Sequence, residues 1–197
     1  LIVNSDINII LSLIKFVIVS ITIFVGYFLI VHGLILRLLL NENIYLFFNK
    51  IKNTLFFAFI SSSSAATIPF SIKTAENELK INKEITNFVI PIGATVNMDG
   101  SAIYLGIAAV FVSQLIGLDL SLFQYALILV TATIGSIGAA GVPSVGLVMM
   151  TIVFTAIGIP IEAIAILAGV DRILDMFRTS LNVAGDLLIS KIVSKYC

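Results

Sequence analysis

In a chain of 197 residues, hydrophobic types make up 59% and charged types 11%, with eleven basic residues against eleven acidic ones and a net charge of zero. Soluble domains carry about a quarter charged residues, so lipid rather than water must be the solvent for this surface; the neutral balance excludes a nucleic-acid binder. The single cysteine, Cys197, excludes an internal disulfide, and no metal motif of Cys and His occurs.

The first apolar run, Phe16 to Leu36, is uncharged for 21 residues. At ~1.5 Å per residue it covers a ~30 Å hydrocarbon core, which predicts a transmembrane helix ended by Arg37. His32 lies inside it and reads as a structural residue without an evident polar partner. Residues 41–53 read as a short amphipathic link carrying Lys50 and Lys52. The next stretch, 53–72, holds four consecutive serines, Ser61 to Ser64, and then Pro69. Serines compete with the helix for backbone hydrogen bonds and proline lacks a donor, so a straight helix is not expected between Ser61 and Pro69. Residues 73–84 read as a polar loop with three lysines and three glutamates. From Ile85 to Leu118 only Asp99 is charged, within Asn97-Met98-Asp99-Gly100-Ser101.

Leu120 to Ile161 contains 42 residues without a charge. As one helix it would run ~63 Å, twice the core, so it must fold back within the small-residue segment Gly135 to Gly146. The arms left on either side, about 22 Å each, suggest a re-entrant hairpin; two short spans joined by an outside turn are the alternative. The last helix, Ile161 to Lys195, carries Asp171, Asp175, Arg178, Asn182 and Asp186, which at ~100° per residue fall within roughly 80° of one another, with Thr179 at the edge of the arc.

The lysine and arginine pattern orients the chain. Arg37, Lys50, Lys52, Lys73, Lys80, Lys83, Lys191 and Lys195 gather on one side if both broken segments return to the side they left; the segments near Asp6, Asp119 and Glu162 take the other. A broken segment with a proline (Thr67-Ile68-Pro69) precedes a helix with a polar centre, and the order recurs in opposite orientation with Gly141-Val142-Pro143. Inverted repeats with discontinuous segments point to a transporter with its site at the midplane. Three parts are expected: 1–53, a transmembrane helix and link; 54–118, the first hairpin with a partly unwound helix; and 119–197, the second hairpin with the polar-striped helix. The fold class is all-α integral membrane.

A polar stripe is expensive in lipid and marks an ion or substrate path. A salt-bridge ladder of Asp171 or Asp175 with Arg178 is the structural alternative, but Arg178 and the nearby Arg172 leave excess carboxylate that bound cations would neutralise. Arg178 offers a planar fork for a carboxylate, and Asp175, one turn earlier, an acceptor for an ammonium group, a pairing that suits an acidic amino acid. Asp99, Asn97, Asn182 and Asp186 are hard oxygen donors for small cations, with unwound carbonyls near Gly93, Gly100 and Gly138 in addition. The serine tip offers hydroxyls and free amides to an anion.

In these segments, Ser61 to Pro69, Gly93 to Gly100, Ser136 to Pro143 and Asp171 to Asp186, the sequence resembles the dicarboxylate/amino acid:cation symporter family, the glutamate transporter homologues. The resemblance implies that Arg178 holds the substrate's side-chain carboxylate, Asp175 its amino group, and Asn182 its main carboxylate together with the serine tip (Ser63, Ser64), while Ser101, Val142 and Thr179 complete the pocket. It implies one sodium among Gly93, Asn97, Asn182 and Asp186, a second at carbonyls near Thr95, Ser136, Ile137 and Ala139, and a third involving Asn97 and Asp99. The glycine hairpin would be the outer gate. An arginine that relatives carry before the hairpin serines, or directly after the position of Asp175, is replaced here by serine and by Met176, so the resemblance does not extend to potassium counter-transport. Ser101 stands for the usual threonine and keeps the hydroxyl. The resemblance further implies a multi-pass plasma (inner) membrane protein, sodium ions or protons as coupling ions without an organic cofactor, and a homotrimer for the full-length protein. The chain begins at Leu1 with a helix that looks like the sixth of the family, so it reads as a C-terminal portion without the earlier scaffold helices and inactive by itself.

The leading expectation is therefore a cation-coupled symporter of glutamate or aspartate, not an enzyme. A C4-dicarboxylate carrier is the near alternative, for which Asp175 would have no ammonium to meet. A channel-like or structural subunit would not need an arginine fork beside an aspartate, and no nucleophile–base pair supports a membrane enzyme.

Overall fold

The computed structural model describes residues 7–137 and 141–197, the side chain of residue 8 excepted, and these residues are all-helical. The first element is longer than its uncharged run. Helix α1 (Ile7–Tyr27) continues without interruption through a π turn (Phe28–His32), the short α2 (Gly33–Ile35) and a second π turn (Leu36–Leu40). Lys15 lies inside α1 near its first end, a positive charge on the side that the lysine and arginine pattern leaves without one. Arg37 does not end the helix: it sits in the last π turn and donates to Asn41 Oδ1 at 2.9 Å. Asn41 ends it, in the left-handed region with φ 55°.

No separate amphipathic link follows. Asn43 accepts from Tyr45 N and starts α3 (Ile44–Ser61) almost at once. The serine segment breaks at Ser62 and Ser63 alone: Ser62 adopts φ 50° and closes α3, and the Ser63 hydroxyl accepts from Ala66 N to open α4 (Ser64–Asn77). Pro69 lies inside α4 rather than at the break. Its missing N–H removes one bond within the helix, and packing of α4 along α3, α5 and α9 carries the helix past it. The polar loop shrinks accordingly to 78–82, because α4 runs to Asn77 and Asn82 caps α5 (Lys83–Val96).

Asn97 and Met98 leave helical geometry and separate α5 from α6 (Asp99–Leu115). The glycine-rich region likewise divides α7 (Leu122–Ser136) from α8 (Val145–Ile157), 15 and 13 residues long. Residues 138–140 of that turn, Gly138 and Ala139 among them, lie outside the described residues. The far ends of α7 and α8 are joined by Gln124 Nε2, which donates to the Ile157 carbonyl at 3.1 Å. A 3-10 turn (Ile161–Ala163) leads into α9 (Ile164–Tyr196), 33 residues or ~50 Å long.

Helix α9 is the post around which the rest is arranged, and it touches every other α-helix of the described residues except α2 and α7 in force. Two apolar clusters flank its polar stretch. One gathers Phe16, Tyr104, Val112, Phe154, Leu167 and Leu174 from α1, α6, α8 and α9. The other gathers Leu36, Phe47, Ile51, Ile90 and Leu187 around the opposite half of α9. Large apolar side chains such as Leu122, Phe123, Leu129 and Leu38 are fully outward, as lipid solvation requires. The span through α1 and α2 to Leu40 and the composite of α5 and α6 are each long and apolar enough to cross a membrane. Helix α9 has the length but interrupts its apolar face with the buried polar stripe.

Candidate functional site

Both breaks arrive at the same place. Ala65 N donates to the Gly141 carbonyl at 3.1 Å and Ser63 Oγ donates to it at 2.6 Å, so the serine tip and the glycine tip are bonded directly. A Cβ on Gly141 would lie 2.9 Å from both Ala65 N and the Ala94 carbonyl, so only glycine permits this approach.

Beneath the tips lies the Arg178 guanidinium, 1% exposed and held on three sides. Nε and Nη2 both donate to Asp175 Oδ1, at 3.1 and 2.5 Å. Nη1 is 3.8 Å from Asp171 Oδ1, and the guanidinium carbon stands 4.6 Å over the Tyr104 ring. Tyr104 in turn donates its hydroxyl to Asp171 Oδ1 at 2.7 Å. Asp175 Oδ2 accepts from the backbone N of Ser144 at 2.8 Å, which ties the glycine tip to α9. A buried charge without partners is prohibitively costly, and here the pair Arg178–Asp175 supplies its own compensation. Nη1 makes no hydrogen bond.

The cavity at this point is lined by Ser62, Ser64, Met98, Ser101, Gly141, Val142, Val145, Asp175, Arg178, Thr179 and Asn182. The free space is about 10 Å³, the room for one water. With the tips in contact, the cavity is narrower than an amino acid.

Of the substrate residues expected from the sequence, Ser64, Ser101, Val142, Asp175, Arg178, Thr179 and Asn182 line this cavity. Ser63 does not: its hydroxyl serves as the cap of α4 and the bond to Gly141, and Ser62 takes the place beside the cavity with a buried hydroxyl that has no hydrogen-bond partner. Met98, Tyr104 and Gly146 escaped the sequence reading. Gly146 is the telling one, because a Cβ there would overlap the Arg178 guanidinium; the only sequence signal was a glycine on the far side of the break.

Asn182 joins this cavity to a second cluster. Its Oδ1 accepts from Gly100 N at 2.7 Å, capping α6 from another helix, and its Nδ2 donates to Ser101 Oγ at 3.2 Å. Its carbonyl accepts from Asn97 Nδ2 at 3.4 Å, and the same nitrogen donates to Asp186 Oδ1 at 3.0 Å. A Cβ on Gly93 would meet Asp186 Oδ1 at 2.5 Å, and one on Gly185 would meet Asn97 Nδ2 at 2.5 Å. Gly93, Asn97, Asn182 and Asp186 thus converge. Asp99 stands beside them and meets His32 across the break, Nε2 to Oδ2, at 3.5 Å. His32 therefore does have a polar partner; a pairing between residues 67 apart leaves no mark in local sequence. Of the other expected cation residues, Thr95 Oγ1 donates to Ile92 O, Ser136 Oγ to Thr133 O, and Ile137 caps α7, while Ala139 is outside the described residues.

Two helical pairs thus break at touching tips, beside a buried arginine and a cluster of oxygen donors. The model of the sodium:dicarboxylate symporter family matches residues 1–196, and the chain belongs to that family. It is 47% identical over 167 residues to excitatory amino acid transporter 3 of Mus musculus, covering 85% of this chain and 32% of that protein. It is 42% identical over 156 residues to an excitatory amino acid transporter of Caenorhabditis elegans, covering 79% and 31%. It is 42% identical over 179 residues to excitatory amino acid transporter 1 of Ambystoma tigrinum, covering 88% and 33%. The chain spans about a third of the length of the curated relatives it matches.

Proposed function

We infer that this chain forms the substrate-carrying part of a secondary transporter that moves an acidic amino acid, glutamate or aspartate, together with sodium. The observation that carries this reading is Arg178: a fully buried guanidinium with one nitrogen lacking a hydrogen-bond partner, on the wall of a small cavity, paired with an aspartate that is itself bonded to the glycine tip. An incoming amino acid exchanges one internal ion pair for two external ones. Its side-chain carboxylate takes the fork of Arg178, and its ammonium takes Asp175. Its main carboxylate takes Asn182 and the Ser62–Ser64 tip. The acidic amino acid brings a net charge of −1 into the dry site, and the sodium ions that enter with it offset that charge and lower the desolvation cost.

Sodium is cargo as well as driving ion. Gly93, Asn97, Asn182 and Asp186 supply its first site, carbonyls near Thr95, Ser136, Ile137 and Ala139 its second, and Asn97 with Asp99 a third. Asn182 belongs to both cargo sites, so occupancy of one biases the other, and the bias is reciprocal. The α3–α4 and α7–α8 pairs act as re-entrant hairpins in an inverted repeat, and the parting of Gly141 from Ser63 and Ala65 opens the cavity. The parts 1–53, 54–118 and 119–197 are the corresponding units. The setting is the plasma membrane, with lipid around the outer face and three copies in the assembled transporter.

A C4-dicarboxylate is the second reading, which the family's description favours and Asp175 disfavours. Competition binding decides between them. Aspartate should displace a bound acidic amino acid and succinate should not, and Asp175→Asn should abolish the difference. Equal displacement by succinate in the unaltered protein would assign the site to dicarboxylates.

A further inference from the structure

We propose that His32 is a positioning residue for the Asp99 carboxylate and through it sets the sodium affinity of the site at the α5–α6 break; this rests on the symporter reading above. The chain has one histidine, and it is 1% exposed in the middle of an otherwise apolar helix. It closes the π turn Phe28–His32. A π turn holds one residue more than an α turn, which rotates the rest of the helix by about 100° and is frequent at functional sites. The ring is then fixed edge-on by Tyr27 and Phe28, at 5.4 and 5.6 Å and 75° in both cases. Nε2 of the ring lies 3.5 Å from Asp99 Oδ2.

A carboxylate accepts and cannot donate, so Nε2 carries the proton and Nδ1 is the acceptor nitrogen. Nδ1 has no hydrogen-bond partner, and an unused acceptor is cheaper to bury than an unused N–H. Asp99 is the first residue of α6, and its side chain is 30% exposed. A carboxylate that exposed has other rotamers to choose from. The histidine N–H engages Oδ2, the carboxylate oxygen that borders the space between Asn97 and Gly185. Gly185 preserves that space: a Cβ there would stand 3.4 Å from Asp99 Oδ2 and closer still to Asn97. His32 is thus to Asp99 what an outer-shell partner is to a metal-binding carboxylate, fixing its direction without touching the ion.

The test replaces the ring in the full-length protein. In His32→Leu the donor is lost, and in His32→Gln an N–H remains at a similar reach. The sodium concentration that half-saturates aspartate binding should rise about 10–100-fold in His32→Leu, the range found for lost outer-shell partners, while aspartate affinity at saturating sodium stays within about threefold. His32→Gln should recover most of the loss. A packing role alone would leave the two variants equally impaired, and that result, or an unchanged sodium dependence in His32→Leu, overturns the proposal. A second measurement does not depend on either variant folding. In the unaltered protein labelled with ¹⁵N-histidine, one imidazole should show a protonated Nε2 and should shift in Asp99→Asn and when choline is exchanged for sodium. A signal that ignores Asp99→Asn also overturns the proposal. Failure of the symporter reading would appear elsewhere, as sodium-indifferent aspartate binding in the unaltered protein.

Discussion

Gly146→Ala tests the arginine-centred site from a residue that contacts no substrate in the proposed mechanism. Gly146 is the second residue of α8, and its Cα faces the Arg178 guanidinium. A Cβ built there would lie 2.7 Å from the guanidinium carbon and 2.9 Å from Nη2, with Nη1 nearer still. Ordinary contact is about 3.5–4.0 Å, so the guanidinium must retreat by roughly 1 Å. It cannot do so freely, because Asp175, Asp171 and Tyr104 hold its other sides. A misplacement of about 1 Å costs on the order of 100-fold at a preorganised site, or about 2.7 kcal/mol. Calorimetry of aspartate binding at saturating sodium should show this loss, with thermal unfolding measured alongside. Gly169→Ala, on α9 with nothing within 4 Å of the added carbon, is the matched control and should leave affinity unchanged. An aspartate affinity in Gly146→Ala within about threefold of the parent would refute the reasoning, since the fork would then tolerate the displacement or take no part in binding.

Arg178→Cys should abolish binding of acidic substrates, at a cost of about 2–5 kcal/mol for a lost buried charge pair, while neutral amino acids of similar size gain in competition assays. Gly93→Ala should act on the cation instead: its Cβ would press on Asp186 Oδ1 at 2.5 Å, so sodium half-saturation should rise at least tenfold while aspartate affinity extrapolated to saturating sodium holds. Ser63→Ala removes the cap of α4 and the bond to Gly141 together, and should lower stability by about 1–2 kcal/mol in chemical unfolding. Ser62→Ala, whose hydroxyl has no partner, should not lower it.

The sequence made much of this fold legible because lipid leaves few choices for long uncharged stretches. The apolar lengths and the need for 120–161 to turn back follow from the dimensions of a bilayer, and the unwinding between α5 and α6 from the polar, glycine-flanked segment around Asp99. Boundaries were less legible where tertiary contacts overrode local preference. Pro69 and the serines looked like one long interruption, yet packing against α5 and α9 confines the break to Ser62 and Ser63. Arg37 looked like a helix end, but its guanidinium reaches Asn41 and the helix continues to Leu40. At the site, the periodicity of α9 brought Asp171, Asp175, Arg178, Asn182 and Asp186 to one face. The roles of Ser63 and Ser62 were not separable, because four serines in a row differ only in the backbone angles that the break imposes. Tyr104 against Asp171 and His32 against Asp99 each pair residues 67 apart, and such meetings depend on how whole helices pack.

The dependence of aspartate affinity on sodium tests the central claim most directly. Titration calorimetry on the full-length protein, in sodium and then in choline at equal ionic strength, reads the coupling through Asn182. The account predicts tight binding in sodium and at least a tenfold loss in choline, with sodium affinity raised by the same factor when aspartate is present. Equal aspartate affinity in the two salts would contradict it.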